Sequence, residues 1–293
     1  MNILVTGSNG FVGNELVPIL QRAGHFVIGI DIQPGGKANK LIQHDLKTKL
    51  NEFNFKFDAC IHLASEVGGI MFNINQKNID DENQLINNTV LELCKSGDCE
   101  TLIFFSSINV FESNNSYHHG PLKKIDQVSP YALSKAKSEV FFKDHFKNYT
   151  VIRPTNLFGK SQTRIHEGYG ESHVIPDLLK KIDTEEKIEV FGDGSQVRNF
   201  IHVNDIVKFV VNALDFKAVS YLNLRSNTTI SIRQLIESLI DFRKSDKEVF
   251  FNAEYMKYEL FKIQKVLIIL YKHKKRQLKS LRCKHYIFNF LVF

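Results

Sequence analysis

In "SPYALSKAK" (residues 129–137) a phenol, Tyr131, stands four residues before an ammonium, Lys135. On a helix, residues at i and i+4 share one face, so the two side chains can act together. A free tyrosine gives up its proton near pH ~10, too high for a base at neutral pH. A neighbouring ammonium favours the phenolate and is expected to pull that value down. Such a pair can accept or return a hydroxyl proton, a service typically worth ~10²–10⁴ in rate. The same spacing also fits two neighbours on a solvated helix face, so the pair alone does not define a site.

A second set of residues suggests what the pair would work beside. "VTGSNGFVG" (5–13) places Gly7, Gly10 and Gly13 around Phe11 and Val12, where an apolar run gives way to a helical pattern. Gly7 permits a tight turn, Gly10 lets backbone approach a pyrophosphate, and Gly13 lets helix and strand pack closely. The helix N-terminus then offers free N–H groups and a positive dipole end to phosphates. A second apolar run ends in Asp31, 18 residues after Gly13. That is close to the spacing of an acid that binds the adenosine ribose hydroxyls of a dinucleotide. A carboxylate there repels a 2′-phosphate, so NAD is expected over NADP; Lys37 in "QPGGKAN" (33–39) softens the preference. A cationic nicotinamide ring would also favour the Tyr131 phenolate.

These groups need a scaffold, and the hydropathy pattern supplies one. Apolar runs at 2–6, 26–30, 59–64, 101–106 and 149–153 read as buried strands. Helix-like stretches at about 11–23, 76–97 and 130–147 lie between them. The alternation predicts an α/β fold: a Rossmann-type, doubly wound parallel sheet with helices on both faces. Beyond residue 154, a loop at 160–172, a helix after it capped by Ser172, short strands at 188–192 and 220–224, and a helix at 202–214 suggest a smaller C-terminal substrate lobe. The expected divisions are 1–154 for the dinucleotide domain, 155–245 for a lobe interleaved with it, and 246–293 for an atypical basic and apolar tail.

Composition narrows the function classes. Of 293 residues, 43% are apolar and 24% charged, as in soluble globular chains. No apolar segment reaches the ~18 residues of a membrane span. The N-terminus carries no signal-peptide pattern, so a cytoplasmic location is expected. Residues 257–284 hold ten Lys or Arg and one acid, a net +9, which leaves the rest of the +6 chain at −3. Nucleic-acid binding by the body has no electrostatic support. Cys60, Cys94, Cys99 and Cys283 form no disulfide framework or zinc pattern and read as idle thiols; no metal is expected.

Taken together, GxxGxxG at 7–13, "SS" at 106–107, YxxxK at 131–135 and "RPTN" at 153–156 resemble the extended short-chain dehydrogenase/reductases. More narrowly they resemble the NAD-dependent nucleotide-sugar epimerases and dehydratases, over about residues 1–245. The resemblance implies that Ser107 hydrogen-bonds the reacting oxygen, Tyr131 is the acid/base, and Lys135 holds the nicotinamide ribose. It implies that Asp45 and Leu46 lie at the adenine, and that Leu63, Ala64 and Ser65 of "HLAS" run beside the cofactor with Phe11, Val12 and Pro154. It makes Asn83 a structural residue, and sets Asn156 and Arg198 against the pyrophosphate of a nucleotide-diphosphate sugar; an arginine's planar fork suits phosphate oxygens. Relatives often form homodimers through two helices per subunit, here 76–97 and 130–147.

The family's 4,6-dehydratases place an Asp-Glu pair after the serine. Here Ile108 and Asn109 follow Ser107, and neither side chain titrates. Local likenesses to GDP-fucose synthase ("VGG" at 67–69, "PTNLFG" at 154–159, "ESHVIPDLL" at 171–179) set His173 on that enzyme's catalytic histidine, which makes it a substrate-site candidate here. Asn109, however, replaces the second acid/base cysteine of that enzyme, and Asp31 departs from its NADPH preference. The intact set supports 4-epimerisation first, then 4-keto reduction like that of GDP-fucose synthase. A catalytically weak NAD sensor is the reading from another class. The tail lacks the family's Pro-Asp-Gly loop. It reads as an amphipathic extension, a segment for an anionic or membrane surface, or the product of a shifted reading frame.

Overall fold

The computed structural model describes residues 1–69, 72, 76, 78–112, 117–127, 129–160, 173–215 and 219–253. The expected cap Ser172, most of the loop at 160–172, Cys283 and nearly all of the basic tail lie outside these residues.

Seven strands form the central sheet: β1 (Asn2–Thr6), β2 (Phe26–Asp31), β3 (Lys40–Gln43), β4 (Ala59–His62), β5 (Thr101–Phe105), β6 (Asn148–Pro154) and β11 (Ser220–Leu224). Their order is β11-β6-β5-β4-β1-β2-β3, and every pairing is parallel. Covered on both faces, the inner strands are apolar throughout and sort their side chains by alternation. Leu4, Ile28, Cys60, Leu102, Phe104 and Val151 face one layer, while Ile3, Val5, Val27, Ile61, Ile103 and Phe105 face the other. Helices α2 (Ile79–Ser96) and α3 (Pro130–His145) cover the first face; α1 (Phe11–Arg22) and α5 (Val203–Ala213) cover the second. The doubly wound sheet expected from the sequence is therefore present.

The lobe has its own apolar centre, including Phe158, Leu178, Ile182, Ile188, Val190, Phe200, Ile236 and Leu239. It is built from β7 (Asn156–Phe158), α4 (Val174–Thr184), β8 (Lys187–Phe191), β9 (Val197–Arg198), β10 (Phe200–His202), β12 (Ile230–Ser231), α6 (Ile232–Arg243) and β13 (Glu248–Asn252). β10 runs parallel to β7, β9 antiparallel to β12, and β13 parallel to β8. α6 opens with a full capping box between Ser231 and Gln234.

Three elements differ from the sequence reading. Residues 220–224 and α5, grouped with the lobe in the sequence, belong to the other half: 220–224 forms the outer strand of the central sheet and α5 packs beside α1, and this is how lobe and sheet interleave. The lobe continues through β13 to Asn252, past the expected boundary at 245. β3 has only four residues with mixed burial, too weak a pattern to mark a strand.

The deepest polar feature joins sheet to helix. Arg153 on β6 is 0% exposed and meets Glu139 of α3 in a two-pronged pair, Nε to Oε1 at 2.8 Å and Nη2 to Oε2 at 2.5 Å. Two further N–H groups donate to the carbonyls of His118 (3.3 Å) and Gly120 (3.0 Å). The guanidinium lies 4.9 Å from the ring centroids of both Phe111 and Tyr221. The Ser106 hydroxyl donates to Glu139 Oε1 at 2.5 Å. Removing one partner of a buried pair strands the other charge, at a cost of about 3–5 kcal/mol. Arg153→Ala is expected to lose stability in that range in urea denaturation; a loss below about 1 kcal/mol, typical of an exposed pair, would contradict this account.

Candidate active site

The turn between β1 and α1 has the geometry that its glycines require. Gly7 has φ +68°, and a Cβ there would come within 2.9 Å of the Ala64 amide nitrogen. A Cβ at Gly13 would lie 2.3 Å from the Gly7 carbonyl oxygen and 2.6 Å from Ser8 backbone. The turn, the first helical turn and the segment after β4 are thus in backbone contact. Gly10 is the N-cap of α1, which has neither a side-chain cap nor an acidic residue in its first turn. The helix end therefore keeps its positive character. Phe11 and Val12 are half-buried on this turn, against the α1–α5 face of the core.

Asp31 ends β2 beside this turn and is buried. One carboxylate oxygen accepts the Asn9 N–H at 2.8 Å and the other the Gln33 N–H at 2.9 Å. An ionised carboxylate has about four acceptor sites, so this framework leaves capacity for ribose hydroxyls. Asn9, which the sequence reading did not single out, donates to the carbonyls of Gln33 (2.8 Å) and Gly35 (2.9 Å) and holds the segment after β2 against the turn. Among the candidate adenine residues, Asp45 is exposed, while Leu46 is packed in the core. After β4, Leu63 N–H donates to the Thr6 carbonyl (3.2 Å) and Ala64 N–H to its hydroxyl (3.3 Å). Ser65 donates to Asn83 Oδ1 at 3.0 Å, the structural task expected of Asn83.

Ser107, Tyr131 and Lys135 come together at the C-terminal ends of β5 and β6. Ser107 opens a 3₁₀ turn (Ile108–Phe111), and its hydroxyl accepts the Asn109 N–H at 3.2 Å. Tyr131 lies in the first turn of α3 and is 8% exposed. Burial pushes its phenol up to about 12, while a hydrogen bond with Ser107 pulls the other way. Lys135, 5% exposed, donates to the Phe105 carbonyl at 3.1 Å and lies 5.2 Å from the centre of the Phe104 ring. Burial brings its ammonium down to about 7, opposed by the Glu139 carboxylate. The expected lowering of the phenol by its neighbour is not observed in this structure. Burial is the largest influence on each group, and it disfavours both charged forms.

A polar seam beneath the pair was only partly foreseen. Asn83 and Asn87 lie at i and i+4 on α2; Ser134 and Ser138 share that spacing on α3. Asn83 donates to Ser134 Oγ (3.0 Å) and Asn87 to Ser138 Oγ (2.8 Å). Asn87 Oδ1 also contacts His62 Nε2 (3.1 Å), whose Nδ1 meets the Thr6 hydroxyl (2.7 Å). Burial holds His62 down to about 3, against the opposing Asn87 hydrogen bond, so the ring is neutral at physiological pH. The matched i, i+4 polar pairs on two helices were the sequence signal for this seam. It connects the strand of the glycine turn to the helix of Tyr131.

The remaining candidates lie toward the lobe. Pro154 is buried at the end of β6. Asn156 opens β7 and donates both its backbone N–H (3.2 Å) and its side-chain amide (3.0 Å) to the Asn199 carbonyl. Arg198 precedes Asn199 on β9, half-buried, with Nη1 donating to the Val197 carbonyl at 3.1 Å. These two residues are thus tied to one joint of the lobe. His173 is the half-buried N-cap of α4. The thiols of Cys60, Cys94 and Cys99 are buried together in the core. Among the described residues no group of three or more His, Cys, Asp or Glu could hold a metal, and no helix is long and apolar enough to cross a membrane.

Two outcomes follow from this geometry. Gly13→Ala forces methyl against the turn's backbone, and titration calorimetry is expected to show NAD binding lost or cut at least tenfold, roughly 1.4 kcal/mol; an unchanged affinity would reject the turn as the binding element. The second concerns pH. Lys135 falls from 10.5 to about 7 on folding, so between these values the unfolded chain holds a proton that the folded site has released. Stability relative to Lys135→Met should therefore rise as pH rises from 7 toward 10. Urea midpoints of both proteins at pH 6.5, 8 and 9.5 check this, and a flat difference counts against it.

Comparison with known proteins agrees with this geometry. A family profile described as "NAD dependent epimerase/dehydratase family" matches residues 3–222. A putative UDP-glucose 4-epimerase of Methanocaldococcus jannaschii is 29% identical over 249 residues, 80% of this chain and 80% of that protein. A dTDP-4-dehydro-6-deoxy-D-allose reductase of Streptomyces bikiniensis is 27% identical over 260 residues, 80% of this chain and 78% of that protein. Among solved structures, the UDP-N-acetylglucosamine 4-epimerase of Methanobrevibacter ruminantium M1 superposes with a TM-score of 0.68 at 27% identity, covering 86% of this chain and 84% of that one. With the profile spanning most of the chain, the protein belongs to the NAD-dependent epimerase/dehydratase family.

Proposed function

We propose that this protein is an NAD-dependent nucleotide-sugar oxidoreductase acting at sugar C4, and that it works as a 4-epimerase. The observation carrying the reading is the buried Ser107–Tyr131–Lys135 group, set at the same end of the parallel sheet as the glycine turn. Ligands of open α/β sheets bind at that end.

The dinucleotide fits the chain's own groups. The turn at Gly7, Gly10 and Gly13 and the uncapped N-terminus of α1 receive the pyrophosphate. Asp31 receives the adenosine ribose, and its charge disfavours a 2′-phosphate. Asp45, Leu63, Ala64, Ser65 and Pro154 line the cofactor, and Lys135 binds the nicotinamide ribose. When bound, the nicotinamide ring supplies hydride acceptance and return at C4, and its positive charge favours the phenolate. Tyr131 takes the proton of the sugar 4-hydroxyl as the carbonyl forms and returns it when the carbonyl is reduced. Ser107 donates to the reacting oxygen and keeps it within reach of Tyr131. Asn156 and Arg198 orient the sugar nucleotide through its pyrophosphate, and His173 lies on the sugar side.

Asn109 occupies the place at which an elimination or a double epimerisation would need an acid or thiol. Its amide carries no titratable proton, and this favours simple redox chemistry at C4. Relatives named as UDP-glucose and UDP-glucuronate 4-epimerases support the epimerase reading. The Streptomyces reductases, at 26–27% identity, favour net 4-keto reduction as the second reading.

A screen of UDP-, GDP- and dTDP-sugars by NMR separates the two. Interconversion of 4-epimers with no added cofactor is the expected result. Net consumption of NADH with a 4-keto sugar would replace it with the reductase, and tight NAD binding without turnover of any sugar would leave a sensor. Tyr131→Phe is expected to lower the rate by ~10²–10⁴, and an unchanged rate would reject its acid/base role.

A further inference from the structure

Glu112 lies just past the 3₁₀ turn that Ser107 opens, and Ser129 caps the helix that carries Tyr131 and Lys135. One oxygen of the Glu112 carboxylate accepts the Ser129 N–H at 2.6 Å, and the other accepts the Ser129 hydroxyl at 2.7 Å. Both residues are buried, Glu112 at 8% exposure and Ser129 at 6%. A second tie runs parallel to this one: the Gln127 amide donates to the Val110 carbonyl at 2.7 Å. The 108–112 segment is thereby clamped beside Gln127 and the helix start at 129–132. Ser107 stands at the start of one and Tyr131 at the end of the other.

Helix capping does not require the carboxylate. Ser129 already fills that role, its hydroxyl accepting the Ala132 N–H at 3.3 Å. Glu112 instead acts between segments. Its two bonds are short and charge-assisted, which makes them stronger and more directional than neutral ones. Its negative charge also faces the positive end of α3. Such a grip limits how far the Ser107 turn can slide along the helix start.

We propose that Glu112 is a positioning residue: by holding Ser129 it sets the reach between the Ser107 hydroxyl and the Tyr131 phenol, and with it the rate of the proton step. This rests on the proton-transfer role proposed for Tyr131. The carboxylate does not touch substrate or cofactor; it acts through the two segments it joins. A displacement of about 1 Å at reacting groups can cost on the order of 10²-fold in rate, so loosening this clamp should lower kcat rather than raise KM.

The test compares Glu112→Ala and Glu112→Gln with the full native chain. In Glu112→Ala, kcat is expected to fall by roughly 10²-fold with KM and NAD affinity unchanged. Glu112→Gln keeps a neutral acceptor for Ser129 and should recover part of that loss. A readout without substrate accompanies the kinetics. The Tyr131 ring-carbon NMR resonance, assigned by its absence from Tyr131→Phe, should shift in Glu112→Ala as the phenol's hydrogen bond to Ser107 changes. Unchanged kcat in an active protein overturns the proposal, as does an equal loss of NAD affinity, which would mark general damage. If the native chain turns over no sugar nucleotide, the functional reading fails, and the resonance still decides: an unmoved Tyr131 signal overturns the positioning role. If Glu112→Ala does not fold, Glu112→Gln is read by the same measurements, and native values throughout overturn the proposal.

Discussion

The Glu139 carboxylate is the junction on which the arrangement of this molecule depends. It accepts from Arg153 on β6 and from Ser106 at the end of β5, while it projects from α3 one turn beyond Lys135. Arg153 passes the connection on to the 118–120 backbone, held between the Phe111 and Tyr221 rings. A charge pair this deep tolerates little displacement, because any donor or acceptor that slips loses its partner with no water to replace it. The helix, two strands and a covering segment therefore keep one relative position. Ser107 and Tyr131 are held close by the same constraint.

Burial has a second consequence for the candidate chemistry. The dry environment that fixes the pair also holds Tyr131 protonated and brings the Lys135 ammonium down to about 7, so that it is only partly charged at physiological pH. A cation arriving over the site would act on these groups through a low dielectric and would count for more than in water. The neutral His62 and the Asn83–Ser134 and Asn87–Ser138 bonds support the pair from below without adding charge. The same seam reaches Thr6 at the base of the glycine turn, so that turn and the Tyr131 helix share one polar framework.

Local features carried most of the legible signal. The glycine turn was readable because positive φ and backbone contact leave few choices of residue: Gly7 meets both demands and Gly13 the second. The inner strands were readable because burial on both faces makes them continuously apolar. Asn9 and Glu112 were not readable: their partners are Gln33, Gly35 and Ser129, and nothing local announces those pairings. The place of residues 220–224 in the central sheet, and of 248–252 in the lobe, depended likewise on which distant strand offered an open edge.

By itself, the sequence determined which residue types stand together: three glycines where a strand gives way to a helix, a phenol four residues before a lysine, and at position 109 an amide with no titratable proton. These follow from residue types and short spacings, which backbone sterics and side-chain pKa values constrain directly. Only the tertiary structure decided the directions in which burial moves Tyr131 and Lys135, the clamp at Ser129 and the strand order that sets residues 220–224 at the edge of the main sheet. Desolvation and long-range pairing depend on what packs around a group, and no local run of residues records that.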